Sequence, residues 1–274
     1  MNFPHRAPGS ASDAKSELPA GKAALIIAHP GHELRVHGWL ELARPTVFVL
    51  TDGSGHTGQS RLYLTSQILA RAVAIHGGIY GRLTDAVLYT ALLDHRFDLF
   101  FNLVEELSQA FIREKITYIV GDASENYNPG HEVCRLLINA AVGRANRAAG
   151  RHIRNFDFLL IGPPDDCPAQ LRGRAIWLEL EDEVWERKLA AARGYSAIAG
   201  DVSAALGGLG AEAFRIECLR PVETDLMHVE HGQEMPFYER YGEQQVAAGY
   251  YRRVLRYREH VMPLAAALNE HQGK

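Results

Sequence analysis

From residue 22 to residue 149 the chain repeats one pattern: a short apolar run, a break rich in Gly, Asp, Asn or His, then a stretch with apolar residues at helical spacing. The runs at 22–28 (ending LIIA), 46–50 (TVFVL) and 116–120 (ITYIV) are continuously apolar rather than alternating, as strands buried on both faces are. A further strand is expected at 86–92. Helices are expected at 33–43, 61–75, 97–114 and 129–149. Arg44-Pro45 stops the first, Gly77-Gly78 stops the second, and Pro129 suits the first turn of the last. Strand–loop–helix units repeated over roughly 150 residues imply an α/β fold with a mostly parallel sheet and helices on both faces. Ligands of such sheets bind at the carboxyl ends of the strands. Three loops, 29–33, 52–60 and 122–131, leave strands on that one edge.

Beyond Gly150 the pattern changes. Strands are expected at 156–161, 175–180 and 214–218, and a helix at 183–206 ends at a Gly-Gly stop. The polar stretch 221–242 carries Met227, His228, His231, Phe237, Tyr238 and Tyr241, and a terminal helix covers 243–268. The expected organisation is a flexible N-terminal tail at 1–21, an α/β domain at 22–220, and a C-terminal extension at 221–274 whose helix packs on the same domain. Hydrophobic residues make up 47%, charged residues 23%, and the net charge is −4, which points away from nucleic acid and anionic membrane surfaces. No run reaches the roughly 18 apolar residues of a membrane span. The 3 cysteines form no CxxC pair, so neither a disulfide framework nor a thiolate zinc knot is expected. The start of the chain lacks the features of a signal peptide, and a reducing, cytoplasmic setting is expected. A homo-oligomer is compatible with all of this.

Two histidines flank the break at Pro30-Gly31. A three-residue spacing across that corner can turn His29 and His32 toward one point above the strand, and His131, opening another helix, offers a third imidazole. Three protein ligands and a water are the usual make-up of a catalytic zinc site. The alternative is that His29 and His131 cap helix ends or bond backbone carbonyls. Asp52, Asp122 and Glu125 lie in the converging loops, either as proton acceptors or as caps of turns. The Asn128 amide and the Tyr127 hydroxyl can donate to an oxyanion or simply build the loop. The glycine-rich segment 53–58 matches neither GxxxxGK[ST] nor GxGxxG, so nucleotide binding is not expected. It reads instead as a flap over a pocket, with His56 and Arg61 touching the substrate.

The sequence Ala28-His29-Pro30-Gly31-His32-Glu33 resembles the Ala-His-Pro-Asp-Asp-Glu motif of the LmbE-like (PIG-L) N-acetylglucosaminyl deacetylase family. Asn128-Pro129-Gly130-His131 resembles that family's His-Pro-Asp-His motif. Thr51-Asp52-Gly53, Arg61 and the late pair Lys188 and Tyr195 fall where the family has similar residues. The resemblance spans roughly residues 22–220. It implies a Rossmann-like three-layer sandwich and one divalent metal, usually Zn2+, whose water attacks the N-acyl group of an amino sugar, glycoconjugate or related small metabolite. By position, His29 matches the first histidine ligand, His32 stands in place of the aspartate ligand, and His131 matches the last histidine. Glu33 is the family's own glutamate, expected to orient a ligand from behind.

The departures define the functional question. Gly31 replaces the aspartate that acts as general base, Gly130 replaces the second motif's aspartate, and Asn128 replaces a histidine. Three neutral imidazoles carry one negative charge less than the family set, which raises the Lewis acidity left to a bound water but supplies no proton acceptor. Glu125 is the expected substitute, then Asp122, with Asp52 also within the converging loops. Three readings follow: a zinc-dependent deacylase, a non-hydrolytic binding or accessory protein on the same fold, and a metal hydrolase of a non-acetyl substrate.

Overall fold

The computed structural model describes residues 17–55, 57–222 and 235–272. His56, Met227, His228 and His231 fall outside them. The strands are β1 (Lys22–Ile27), β2 (Thr46–Thr51), β3 (Ile75–Leu83), β4 (Ile116–Asp122), β5 (Arg154–Phe158), β6 (Ile176–Glu179) and β7 (Ile216–Pro221). They form one sheet in the order β3-β2-β1-β4-β5-β7-β6. The run from β3 to β5 is parallel, and β7 pairs antiparallel with both β5 and β6. The chain leaves β1 toward β2 and β3, then returns to place β4 on the other side. The switch point is therefore the crevice above β1 and β4, where α/β sheets bind ligands.

Helices cover both faces. They are α1 (His37–Ala43), α2 (Leu62–Arg71), α3 (Asp85–Leu93), α4 (Phe97–Arg113), α5 (Pro129–Ala149), α6 (Asp182–Gly194), α7 (Ala199–Leu209), α8 (Phe237–Ala247) and α9 (Met262–Gln272). Alternation along β1 sends Ala24 and Ile26 to one core and Leu25 and Ile27 to the other. The first core holds Leu88 of α3, Phe100 of α4, Leu137 of α5, and Leu264 and Leu268 of α9. The second holds Trp39 and Leu40 of α1 and Ile68 and Leu69 of α2. The result is an α/β three-layer sandwich with a mostly parallel sheet, and the C-terminal helix contributes to its core. No helix among the described residues is long and apolar enough to cross a membrane.

Several elements differ from the sequence expectation. The stretch 86–92 is α3, not a strand: Thr84 caps its start by accepting Val87 N (3.2 Å), and Leu88, Ala91 and Leu92 form a buried helical face. The neighbouring strand is β3, which contains the Gly77-Gly78 pair expected to stop a helix. The preceding helix ends earlier, where Val73 takes a left-handed φ of 57°. The helix expected at 183–206 breaks at Tyr195 into α6, a 3-10 turn (Ser196–Ile198) and α7. Residues 243–268 divide between α8, a π-helical turn (Tyr257–Val261) and α9.

Two buried cations bind this frame together. Arg135 on α5 donates to Asp122 O (2.7 Å), Asn155 Oδ1 (3.0 Å) and Phe156 O (3.3 Å), tying the ends of β4 and β5 to the helix behind the crevice. Lys188 on α6 donates to Glu217 (2.8 Å) on β7 and to Arg35 O (2.9 Å). Glu217 in turn accepts Gly38 N (2.8 Å) and Trp39 N (2.7 Å), satisfying amides that the first turn of α1 leaves open.

Candidate functional site

The opening Pro-Gly-His-Glu corner is set by its backbone. Ala28 N donates to Asp122 Oδ2 (2.7 Å), fixing the end of β1 to the end of β4. Gly31 adopts φ 107°, a left-handed conformation in which a Cβ is strained. That Cβ would also stand 3.0 Å from Ile198 Cδ1 and 3.5 Å from Tyr195 Cζ. Glu33 stabilises the turn: Oε2 accepts Gly31 N (2.8 Å) and Oε1 accepts the Thr65 hydroxyl (2.7 Å), which bonds the Tyr195 hydroxyl (3.0 Å). Both oxygens of Glu33 are thus engaged away from the imidazoles, so it shapes the corner and does not orient a histidine.

The turn brings the three predicted imidazoles together. Ring centroids lie 5.3 Å apart for His29–His32, 5.8 Å for His29–His131 and 4.8 Å for His32–His131. His29 Nδ1 lies 2.9 Å from both Thr51 Oγ1 and Asp85 Oδ1. The Thr51 hydroxyl already donates to Ala28 O (3.1 Å), so His29 Nδ1 is the nitrogen that donates to Asp85. His32 Nδ1 likewise meets Asp122 Oδ2 (2.9 Å). Histidine rings anchored at one nitrogen by a carboxylate are the usual construction of metal ligands. His29 Nε2 and His131 Nδ1 are buried without a hydrogen-bond partner. Gly130 makes this approach possible, because a Cβ there would stand 2.6 Å from His29 Nε2.

Electrostatics keep two of these rings neutral. Burial lowers the His32 pKa more than Asp122 raises it, and burial holds His131 well below the ordinary range. Burial raises the Asp85 pKa, but the His29 bond and charge, Thr51 and the Gly55 amide outweigh it, so Asp85 remains ionised. Asp85 was not singled out from the sequence, and Thr51 was named only within the Thr51-Asp52-Gly53 resemblance. Asp85 stands one residue before the strand expected at 86–92 and opens α3 instead, and Thr51 ends β2 one residue past its expected end.

The other predicted residues are placed as follows. Glu125 accepts Leu160 N (3.0 Å) and Ile161 N (2.9 Å), one on each carboxylate oxygen. Asp52 Oδ1 accepts Ser54 N (2.9 Å) and closes the turn after β2. Asn128 caps α5 by accepting Gly130 N (2.7 Å) and also accepts the Tyr89 hydroxyl (3.0 Å). The Tyr127 ring lies 6.5 Å from His131. Arg61 Nε is buried without a partner, with its guanidinium against Gly53 and close to Pro30. A groove of about 600 Å³ elsewhere, lined by His37, Arg71 and Arg187 among others, includes none of these residues.

Burial pushes the Glu125 pKa up to about 7, against the pull of the Ile161 and Leu160 amides and Arg35. A carboxyl raised above its ordinary 4.5 keeps its proton longer in the folded state than in the unfolded one. The resulting stability is complete below the lower value and declines as pH rises to the upper. Urea midpoints are therefore expected to fall between about pH 4.5 and about pH 7. Glu125→Gln should flatten that fall, and an unchanged slope in the variant would remove Glu125 as its source.

Among the described residues, no group of three or more His, Cys, Asp and Glu side chains has the arrangement of a formed metal site. The chemistry of the imidazole trio nevertheless fits an ion: two rings are anchored by carboxylates and two ring nitrogens are buried without a hydrogen-bond partner. An unpartnered buried polar atom costs about 1–3 kcal/mol, which a coordinated cation would offset.

No family model matches the chain, and no curated protein matches it in sequence. Solved structures similar to it in chain path include a deacetylase–bog complex from the teicoplanin biosynthesis pathway, at 15% identity and TM-score 0.49, covering 73% of this chain and 97% of that one. The deacetylase of the antimicrobial A40926 pseudoaglycone is 17% identical, with TM-score 0.46 and coverage of 74% and 97%. The zinc-inhibited form of teicoplanin deacetylase is 12% identical, with TM-score 0.43 and coverage of 83% and 94%. The α/β fold described above stands on the strand order itself.

Proposed function

We propose that the protein is a divalent-metal-dependent hydrolase of an amide bond, removing the acyl group from an N-acyl amino sugar, glycoconjugate or related small metabolite. The observation that carries the reading is the trio of closely approaching imidazoles with two carboxylate-anchored rings and two unpartnered nitrogens. His29, His32 and His131 would hold the ion, and a set of three imidazole nitrogens suits zinc. Such an ion, when bound, supplies Lewis acidity toward a carbonyl oxygen and toward water. Asp85, Thr51 and Asp122 hold two rings in the tautomer that presents a lone pair. Arg61 Nε offers a buried donor to an oxygen of the substrate. Glu125, with its pKa near 7, has the proton affinity suited to a general base near neutral pH, provided substrate binding releases it from Leu160 and Ile161.

One observation favours a second reading, in which the site binds an acylated ligand without hydrolysing it. Glu33 and Glu125 have both carboxylate oxygens engaged by structural partners, Asp85 and Asp122 each hold a histidine ring while Asp122 Oδ1 is buried without a partner, and the corner residue Gly31 has no acid to contribute. Elemental analysis of chelator-free protein repopulated with zinc, followed by acetate release from N-acetyl amino sugars and acetyl esters and formate release from formamides, separates the readings. A stoichiometric ion with acetate release from the sugars supports the hydrolase. Ion and sugar binding without any product supports the binding protein. Absence of a stoichiometric ion would end the metal reading.

A further inference from the structure

Tyr127, beside His131, begins a row of exposed aromatic rings. It stacks on Phe237 at 4.9 Å with 8° between the planes, and Phe237 faces Tyr241 at 6.1 Å and 18°. Tyr251 meets Tyr241 edge-on at 6.4 Å. Two carbon faces in full contact lie about 3.5–4.0 Å apart, so the longer centroid separations of the two near-parallel pairs indicate rings slipped past one another like steps. Part of each face is left open: Tyr127 is 40% exposed, Phe237 43%, Tyr241 43% and Tyr251 45%. The row is tied to the site loop by its backbone, since Phe237 N donates to Asn126 O (2.8 Å). An exposed contiguous apolar patch is uncommon on a solvated surface and marks a binding site.

We propose that Tyr127, Phe237, Tyr241 and Tyr251 form a subsite for a pyranose ring, the sugar next to the acylated unit. This rests on the hydrolase or acyl-sugar-binding reading above. The negative face of an aromatic ring attracts the polarised C–H bonds of a sugar face. Three of the four steps carry phenolic hydroxyls, which can exchange hydrogen bonds with the sugar's rim. The Tyr241 and Tyr251 side chains hydrogen-bond to one another, a polar edge that suits a sugar better than an alkyl chain. Tyr127, its ring centroid 6.5 Å from that of His131, joins the row to the imidazole site.

The probe is N,N′-diacetylchitobiose, a disaccharide of two N-acetylated pyranoses, titrated against the metal-free full chain by saturation-transfer NMR. Saturation of aromatic protons is expected to pass to the C–H face of one sugar ring. Phe237→Ala and Tyr241→Ala should each weaken binding about two- to tenfold, while Phe237→Trp should retain it. No transfer to ring protons, or equal dissociation constants in the alanine variants, overturns the proposal. It is also overturned if sedimentation shows a wild-type dimer that Phe237→Ala converts to monomer, because the row would then join two copies. Acetate is not scored, so failure of hydrolysis leaves this result intact. Conversely, acetate release from a single N-acetyl sugar with unchanged disaccharide binding in Phe237→Ala rejects only the subsite.

Discussion

Replacing His131 with alanine is expected to abolish retention of a stoichiometric divalent ion while leaving the fold in place. The ring lies beside His29 and His32, and its Nδ1 has no partner whose loss would destabilise the core. Carboxylates behind a ligand are typically worth about 10–100-fold in metal affinity, so loss of a ligand should exceed the upper figure. Asp85→Asn supplies the graded comparison. It keeps the shape but can place an amide N–H group against His29 Nδ1, and should weaken zinc about 10–100-fold. Gly130→Ala acts on the same ring sterically, since its Cβ would stand 2.6 Å from His29 Nε2. Competition with a chromophoric chelator measures all three, with circular dichroism as the folding control. Equal zinc affinity in wild type and His131→Ala would remove His131 from the ligand set.

Removing the carboxylate of Glu217 should have the largest effect on stability. Lys188 and Glu217 are buried, with side chains 3% and 0% exposed and 2.8 Å between charged atoms. Breaking such a pair from one side costs about 3–5 kcal/mol, and Glu217→Ala also leaves the Gly38 and Trp39 amides without their acceptor. Burial already lowers the Lys188 pKa, with Glu217 opposing it. Without Glu217 the folded state prefers the neutral amine more strongly, while the unfolded chain still binds the proton. The variant should therefore regain stability as pH rises toward the ordinary lysine value, and the double variant Lys188→Met/Glu217→Ala should lose that dependence. Urea unfolding across pH provides the measurement. A loss in Glu217→Ala that does not vary with pH would mean that the unfilled amides, rather than the stranded lysine, dominate.

The sequence exposed the centre of the fold more clearly than its edges. LIIA, TVFVL and ITYIV are buried on both faces, so apolar continuity alone identified β1, β2 and β4, and Asn128-Pro129 marked the start of α5. The misreadings arose where packing overrode local pattern. AVLYTALL has the apolar continuity of a strand, but the Thr84 cap and a one-sided buried face make it helical. Gly77 looks like a stop signal, yet in β3 it leaves the space that the Phe48 ring approaches. The break at Tyr195 depends on a distant partner, because its buried ring carries the hydroxyl to Thr65. The candidate site followed the same division. The histidines announced themselves by spacing at strand ends, whereas Asp85 lay just ahead of the misread stretch and its bond to His29 joins residues 56 positions apart.

The conformation of Gly31 also constrains the evolutionary routes open to this corner. Exchanging it for aspartate would place an acid at the corner but in a backbone geometry that strains it. The backbone there is left-handed, and the direction a side chain would take is occupied by Ile198 and Tyr195. A lineage acquiring an acid at residue 31 would need accompanying changes around residues 195–198 and a rebuilt turn, so the substitution is epistatic with a segment far away in sequence. If the amide hydrolysis proposed above is selected for speed, single-step gains are expected in the loops after β2 and β4 before they are found at Gly31.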